Sequence, residues 1–394
     1  MAAPAAPTTP RTIRVAEPSL TSLEEQFLLD AYRSTFVSGS LGPHLSRFEQ
    51  TFSSRVAGCA HGVAVCNGTV AIHLLLKSLD VQPGEEVLLP DFNYVANAAA
   101  TVEAGAVPVL VDCDAWGRID PEAVRAAAKP GVTRFLWVVH LYGLPCDMDA
   151  LQAVADDVGL TILEDCAEAH GALYKGKTLG SFGLASTYSF FANKIITTGE
   201  GGMLCTNDAD LAQRARHLSR HAMSPTQRFF HTEVGYNYRL SNLLCAIGCA
   251  QVERFDEIVA GRRALIEFYR SELDGIVAGV HINPQVSDDT VLSPWLAYVL
   301  LPDRLVPRRD DMLAALRSEF HVDTRPFFYP MHTMPPYAAC ETATREGRGK
   351  RNAGAVRISG RGFNIPTSSD MSLEDRTRVV EAVAEVLRRY AVER

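Results

Sequence analysis

Between about residues 60 and 208 the chain alternates short apolar runs with stretches of helical periodicity. The runs fall at 87–89, 107–111, 135–139, 160–163, 187–190 and 203–204. Short continuous apolar runs suit strands covered on both faces, so the alternation predicts an α/β fold with a mainly parallel sheet and helices on both sides. Ligand sites in such sheets gather beyond the strand ends. A helical tract is expected over about 241–273, with Phe255, Ile258, Val259, Ile266 and Tyr269 on one face, as the link to a second domain. Beyond it, an apolar strand at 295–301 and a helix over about 309–320 lead to a last helix opened by Ser372-Leu373-Glu374-Asp375. That helix carries Val379, Val383, Val386 and Tyr390 as an apolar stripe, and the set predicts a smaller C-terminal α+β domain. The expected division is a disordered tail over 1–12, a large cofactor-binding domain over 13–255 and a small domain over 256–394.

Four of the expected strands end in residues with chemical potential. Lys194 lies between the aromatic strand end Ser189-Phe190-Phe191 and the turn Thr198-Gly199-Glu200-Gly201-Gly202. A lysine amine is a covalent catalyst only where it is held near a carbonyl and is partly uncharged. Its neighbours here are mostly uncharged, and the segment reads as the Schiff-base lysine of pyridoxal phosphate. Most lysines at strand ends are solvated surface groups, so other segments must support the reading.

Asp165 ends the strand 160–163 and offers a carboxylate to a protonated pyridine nitrogen, which would keep the ring an electron sink. Capping of a following helix is the competing role, and Glu164 beside it is expected to be the solvated one of the pair. Asn67-Gly68-Thr69 stands between a strand and a helical run, where free N–H groups and the helix dipole can hold a phosphate; the same tripeptide also makes an ordinary N-cap. Tyr94, in Asp91-Phe92-Asn93-Tyr94, can stack on a flat ring or fill the core.

Composition narrows the partners. A chain of 394 residues with 47% hydrophobic and 21% charged residues is long enough to bury a large core. Its net charge of −8 argues against a nucleic-acid partner without excluding a local basic pocket for a diphosphate. Nine cysteines without paired CxxC spacing suggest reduced thiols in the cytoplasm and no bound metal; Cys245 and Cys249 read as core residues. The proline-rich start reads as a tail, and nothing approaches the roughly twenty apolar residues of a membrane span.

The order of these segments resembles the DegT/StrS-type sugar aminotransferases, pyridoxal phosphate enzymes of aminotransferase fold type I. The resemblance runs from Gly42-Pro43-His44-Leu45 through Asn67-Gly68-Thr69, Glu164-Asp165-Cys166-Ala167-Glu168-Ala169-His170-Gly171 and the Lys194 segment. It continues through Gly235-Tyr236-Asn237-Tyr238-Arg239 and Thr324-Arg325-Pro326-Phe327-Phe328-Tyr329-Pro330-Met331-His332. It implies Lys194 as the Schiff-base lysine, Asp165 as partner of the ring nitrogen, Tyr94 as the stacking aromatic, and Gly68, Thr69 and Ser189 at the phosphate.

In relatives the Gly-x-Asn-x-Arg segment comes from the neighbouring subunit, which implies a homodimer with Asn237 in the partner's site. Many relatives carry Gln at position 168, where this chain has Glu168, another cofactor contact. Arg325, Tyr329 and His332 are candidate substrate contacts, with the loop 38–42 nearby. The motifs are most similar to the perosamine synthase branch, so the expected reaction moves an amino group from glutamate to C4 of GDP-4-keto-6-deoxymannose. The alternatives are a dTDP- or UDP-linked keto sugar or a keto-cyclitol of antibiotic biosynthesis. A related dehydratase branch works without the lysine, and a non-catalytic regulator of this fold would tend to lose the lysine, the aspartate or the phosphate ligands; all are present here.

Overall fold

The computed structural model describes residues 11–39 and 42–392. The first ten residues of the expected tail, and Ser40 and Leu41 of the loop 38–42, lie outside the described residues. Among the described residues, seven strands between residues 61 and 206 build the large sheet: β1 (His61–Val65), β2 (Glu86–Pro90), β3 (Val107–Val111), β4 (Thr133–Val139), β5 (Thr161–Asp165), β6 (Ala185–Ser189) and β7 (Gly202–Thr206). They lie side by side in the order β1-β7-β6-β5-β4-β2-β3. From β6 to β3 the pairing is parallel, and β7 runs antiparallel to both of its neighbours.

The period-two alternation of each strand divides its side chains between two cores. Val87, Leu89, Phe135, Trp137 and Leu163 face one helical layer. Leu88, Val109, Leu136, Val138 and Ile162 face the other. Covering both faces in this way is what makes the strands read as continuous apolar runs.

A second sheet pairs His281–Ile282, Ala297–Leu300, Gly362–Ile365 and Arg325–Pro326 in that order, all antiparallel. Its core joins Val299 and Phe363 to Leu265, Leu313 and Val383 from three helices. The last of these, Leu373–Val392, is capped by the Ser372 hydroxyl, which accepts from the Asp375 N–H at 3.1 Å.

The structure departs from the sequence reading in three places. The expected tract over 241–273 is two helices, Asn242–Glu253 and Phe255–Leu273, separated at Arg254 (φ −90°, ψ 6°), whose guanidinium is drawn to Glu24 and the Ser19 hydroxyl at 2.9 Å each. Ile13 and Ala16, expected with the large domain, form bridges to Val322 and Thr367, because the alternation Ile13-Arg14-Val15 buries its apolar side against the small sheet. Conversely, Glu341–Thr344 returns to the large sheet and pairs parallel to β3. There Glu341 and buried Glu86 share Arg348 and Lys129, and these cations outweigh burial to pull the Glu86 carboxyl down to about 2. Residues 13–16 and 341–348 thus cross the expected boundary at 255 in opposite directions. Among the described residues no helix is long and apolar enough to cross a membrane.

Candidate active site

The ends of β5 and β6 and the first turn of the helix Gly68–Ser78 open into one cavity of about 600 Å³. At the helix start the Asn67 side chain accepts from the Val70 N–H at 2.9 Å, leaving the N–H groups of Gly68 and Thr69 without helical partners. A Cβ at Gly68 would stand 2.9 Å from that of Ser189, so only glycine lets the helix come this close to the end of β6. Ser189 and Thr69 both line the cavity beside this turn.

Asp165 also lines the cavity, 6% exposed. Its Oδ1 accepts from the Ala167 N–H at 3.0 Å within a turn, and no helix follows for it to cap; no cation lies within ion-pair distance of it among the described residues. Burial pushes its carboxyl above the usual range, against the Ala167 N–H, the nearby Asn97 amide and the Lys194 charge. Two more buried polar atoms of residues lining the cavity, Asn97 Nδ2 and Thr187 Oγ1, make no hydrogen bond of ordinary geometry among the described residues.

Glu164 corrects the expectation of a solvated residue. It is fully buried on the opposite face of β5, where its two oxygens accept from the N–H groups of Gly180, Phe182 and Gly183 at 2.7 Å each and meet His140 Nε2 at 3.2 Å. Burial opposes its charge, but these contacts prevail and hold its carboxyl below the usual range.

Lys194 reaches into the cavity with its side chain 12% exposed and its Nζ 3.4 Å from Glu168 Oε1. Burial raises the Glu168 carboxyl, although the Lys194 charge and the Tyr142 N–H pull it down. That N–H meets Glu168 Oε2 at 2.9 Å, and Tyr142 itself holds φ at 54°, a left-handed conformation that costs a bulky residue on the order of 1–3 kcal/mol. On the other side of Lys194 Nζ, the Trp295 ring centroid lies at 4.1 Å. Trp295, Arg262 behind it, and Asn97 were not singled out from the sequence; Trp295 shows there only as the start of an apolar strand.

Tyr94 and Arg325 reach the same cavity, Tyr94 with its ring tilted against Phe328 at 5.7 Å and 55% exposed. Three expected site residues do not line it. Asn237 is exposed, its Oδ1 accepting from Arg239, and Tyr329 is 56% exposed. The ring of His332 is instead drawn to Asp91, a wholly buried carboxylate that also accepts from the His332 N–H at 2.9 Å and the Asn352 amide at 3.1 Å. Asp91 needs these partners because a buried carboxylate without them is costly.

The cavity fits pyridoxal phosphate. It offers free helix N–H groups for a phosphate, a buried carboxylate lacking a cation for a protonated ring nitrogen, and a lysine amine for the aldehyde.

Comparison with known proteins agrees with this chemistry. Residues 19–384 match the DegT/DnrJ/EryC1/StrS aminotransferase family. The chain is 39% identical over 376 residues to a GDP-perosamine synthase of Caulobacter vibrioides, covering 95% of this chain and 98% of that protein. It is 40% identical over 326 residues to a GDP-perosamine synthase of Vibrio cholerae, covering 82% and 87%. Among solved structures, the aminotransferase TlmJ from Streptoalloteichus hindustanus superposes with a TM-score of 0.87 at 29% identity, covering 96% of this chain and 99% of that one. A match that spans nearly the whole chain, on a cavity built for its cofactor, makes this protein a member of the DegT/DnrJ/EryC1/StrS family of pyridoxal phosphate-dependent sugar aminotransferases.

Proposed function

We propose that this protein moves an amino group from glutamate to a nucleotide-linked keto sugar, and that the acceptor is C4 of GDP-4-keto-6-deoxymannose. The observation that carries the reading is the convergence of Lys194, Asp165 and the glycine-led helix start on one cavity. Identity to GDP-perosamine synthases over most of the chain supports the acceptor.

Bound pyridoxal phosphate supplies an electron sink that acidifies the carbon next to the migrating nitrogen. The N–H groups of Gly68 and Thr69 and the hydroxyls of Thr69 and Ser189 hold the phosphate. Asp165 would accept the ring N–H, Tyr94 would cover the ring, and Glu168 would stand beside Lys194. Lys194 Nζ would hold the cofactor's aldehyde at rest and, once freed by the donor's amine, would be the base that takes the proton from the donor's α-carbon and carries it along the cavity. In the second half-reaction Lys194 moves the proton back, toward C4 of the sugar, so the kinetics are ping-pong. Arg325 at the rim suits the sugar's diphosphate. Asn237, exposed on its own protomer, completes the phosphate site of the partner in a homodimer.

The test is to convert the loaded enzyme to its amine form with glutamate, remove the donor, and add GDP-4-keto-6-deoxymannose. Return of the absorbance band of the lysine-bound cofactor is the expected result. Conversion by glutamate with no return would overturn this acceptor and send the search to dTDP- or UDP-linked keto sugars and keto-cyclitols.

A further inference from the structure

We propose that Trp295 is a positioning residue: its ring, together with Glu168, is the resting place of the Lys194 ammonium whenever that amine is not bonded to the cofactor. The proposal rests on the reading of Lys194 given above and extends it to a residue outside the cofactor contacts.

Lys194 Nζ stands between an anion and an aromatic face, with Glu168 Oε1 at 3.4 Å and the Trp295 centroid at 4.1 Å. Indole gives a cation the strongest attraction of the aromatic side chains. The ring is fixed from several directions. Its Nε1 donates to the Asn193 carbonyl at 2.8 Å, and it lies nearly parallel to Tyr142 (5.9 Å, 8°) and Phe328 (6.3 Å, 16°).

Arg262, 2% exposed, donates through Nη1 to the Trp295 carbonyl at 2.7 Å and through Nη2 to the Lys194 carbonyl at 3.4 Å. One guanidinium thereby ties the main chain beneath the ring to the main chain beneath the amine. No carboxylate of the described residues lies within ion-pair distance of Arg262, and a buried cation held only by neutral partners is costly. Arg263 adds a second fastening, from its Nε to the Leu292 carbonyl at 2.8 Å and from its Nη2 to the Gly171 carbonyl at 3.0 Å. The amine is the mobile member of the pair; the ring is not.

This arrangement acts on the charge that Lys194 gains and loses during the reaction. When Lys194 Nζ takes a proton from the donor's α-carbon it becomes an ammonium, which the ring and Glu168 both attract. When it delivers that same proton to the exocyclic carbon it becomes a neutral amine, which they hold less. The resting place thus holds the lysine while it carries the proton. Removing the ring should shift the balance toward the lysine-bound cofactor by about threefold to thirtyfold.

Two measurements test this. The protein has six lysines, so reductive 13C-dimethylation of the unloaded enzyme gives a simple spectrum. The Lys194 signal, identified by its absence in Lys194→Ala, is expected upfield of ordinary lysines, displaced by the ring. Trp295→Met, which keeps bulk without a ring, should return it to the ordinary position, and Trp295→Phe should keep much of the displacement. Lys177, 4.3 Å from the Phe182 centroid, should not move in any variant.

In the second measurement the unmodified, loaded enzyme is equilibrated with glutamate and 2-oxoglutarate and the two cofactor forms are read by absorbance. Trp295→Met should favour the lysine-bound form by the factor given, and Trp295→Phe by less. Should Trp295→Met not fold, Arg262→Lys serves in both measurements, with smaller shifts of the same sign.

An undisplaced Lys194 signal in the parent overturns the proposal. So does a displaced signal that Trp295→Met abolishes while the equilibrium stays unchanged. If the parent does not react with glutamate at all, the proposed function fails, and the methyl spectrum alone decides whether the ring holds the amine.

Discussion

At the end of β5 two consecutive carboxylates point to opposite faces of the sheet. On one face Glu164 accepts three backbone N–H groups and meets His140, and its charge is fully partnered within the chain. On the other face Asp165 accepts one N–H, in a cavity where two further buried polar atoms make no hydrogen bond of ordinary geometry among the described residues. Burial is nearly equal for the two, yet the Glu164 carboxyl is lowered and that of Asp165 raised. The difference separates a carboxylate that holds the fold together from one kept in reserve for a ligand. The raised group is the one that a cation entering the cavity would relieve.

The comparison can be broken most forcefully at the cavity face. Lys194→Ala should abolish repeated turnover, by at least about a thousandfold, measured with glutamate and keto sugar over many cycles; a variant that kept cycling would remove the lysine from the mechanism. Asp165→Asn should lower kcat by about a hundredfold to a thousandfold, the scale of losing one preorganised electrostatic partner, with the fold intact by circular dichroism. At the opposite face Glu164→Gln should leave kcat of the folded enzyme within about threefold. It should cost about 1.5–3 kcal/mol of stability in a denaturant titration, because an amide turns N–H donors toward N–H donors.

The two faces also differ in sign with pH. Because Asp165 is raised, the folded chain keeps a proton that the unfolded chain releases, and the unloaded enzyme loses stability as pH rises through that window. Because Glu164 is lowered, its contribution is present above the ordinary carboxylate range and is lost as pH falls through its folded pKa. Near neutral pH, Asp165→Asn should therefore raise the melting temperature of the unloaded enzyme and Glu164→Gln should lower it; the first effect should fade as pH falls through the raised Asp165 pKa toward the ordinary carboxylate range of about 4, the second only as pH falls below that range. The smallest effect is expected at the rim. Arg325→Ala should raise KM for the nucleotide sugar about tenfold and leave the reaction with glutamate unchanged, as initial rates at varied concentrations of each substrate would show.

The strands and the residues that end them were legible because each is a local pattern, an apolar run followed by a small or charged turn. Gly68, Thr69, Asp165, Ser189 and Lys194 come together because β1, β5 and β6 run the same way and end on the same side of the sheet, β1 across the antiparallel β7. Glu164 was misread because its partners lie up to 24 residues away, and no local pattern announces them. Only strand alternation in a sheet covered on both sides hints that such a residue is buried. His332 failed for the same reason, since the carboxylate that takes its ring is 241 residues distant. Trp295 and Arg262 are fastened in place through main-chain carbonyls, which every residue has, so nothing in the sequence places them beside Lys194.

The return of Glu341–Thr344 to the large sheet bears on how the molecule can be divided. A protein cut after residue 255 would lose the strand that covers β3, exposing an apolar edge to other chains. It would also take Arg348 from Glu86, leaving that buried carboxylate only the half-exposed Lys129 and the Thr133 hydroxyl as partners among the described residues. Neither half is an interchangeable module. Grafting a new sugar specificity by swapping everything beyond residue 255 would fail at the seam, whereas an exchange confined to 281–326 would leave the borrowed strand in place.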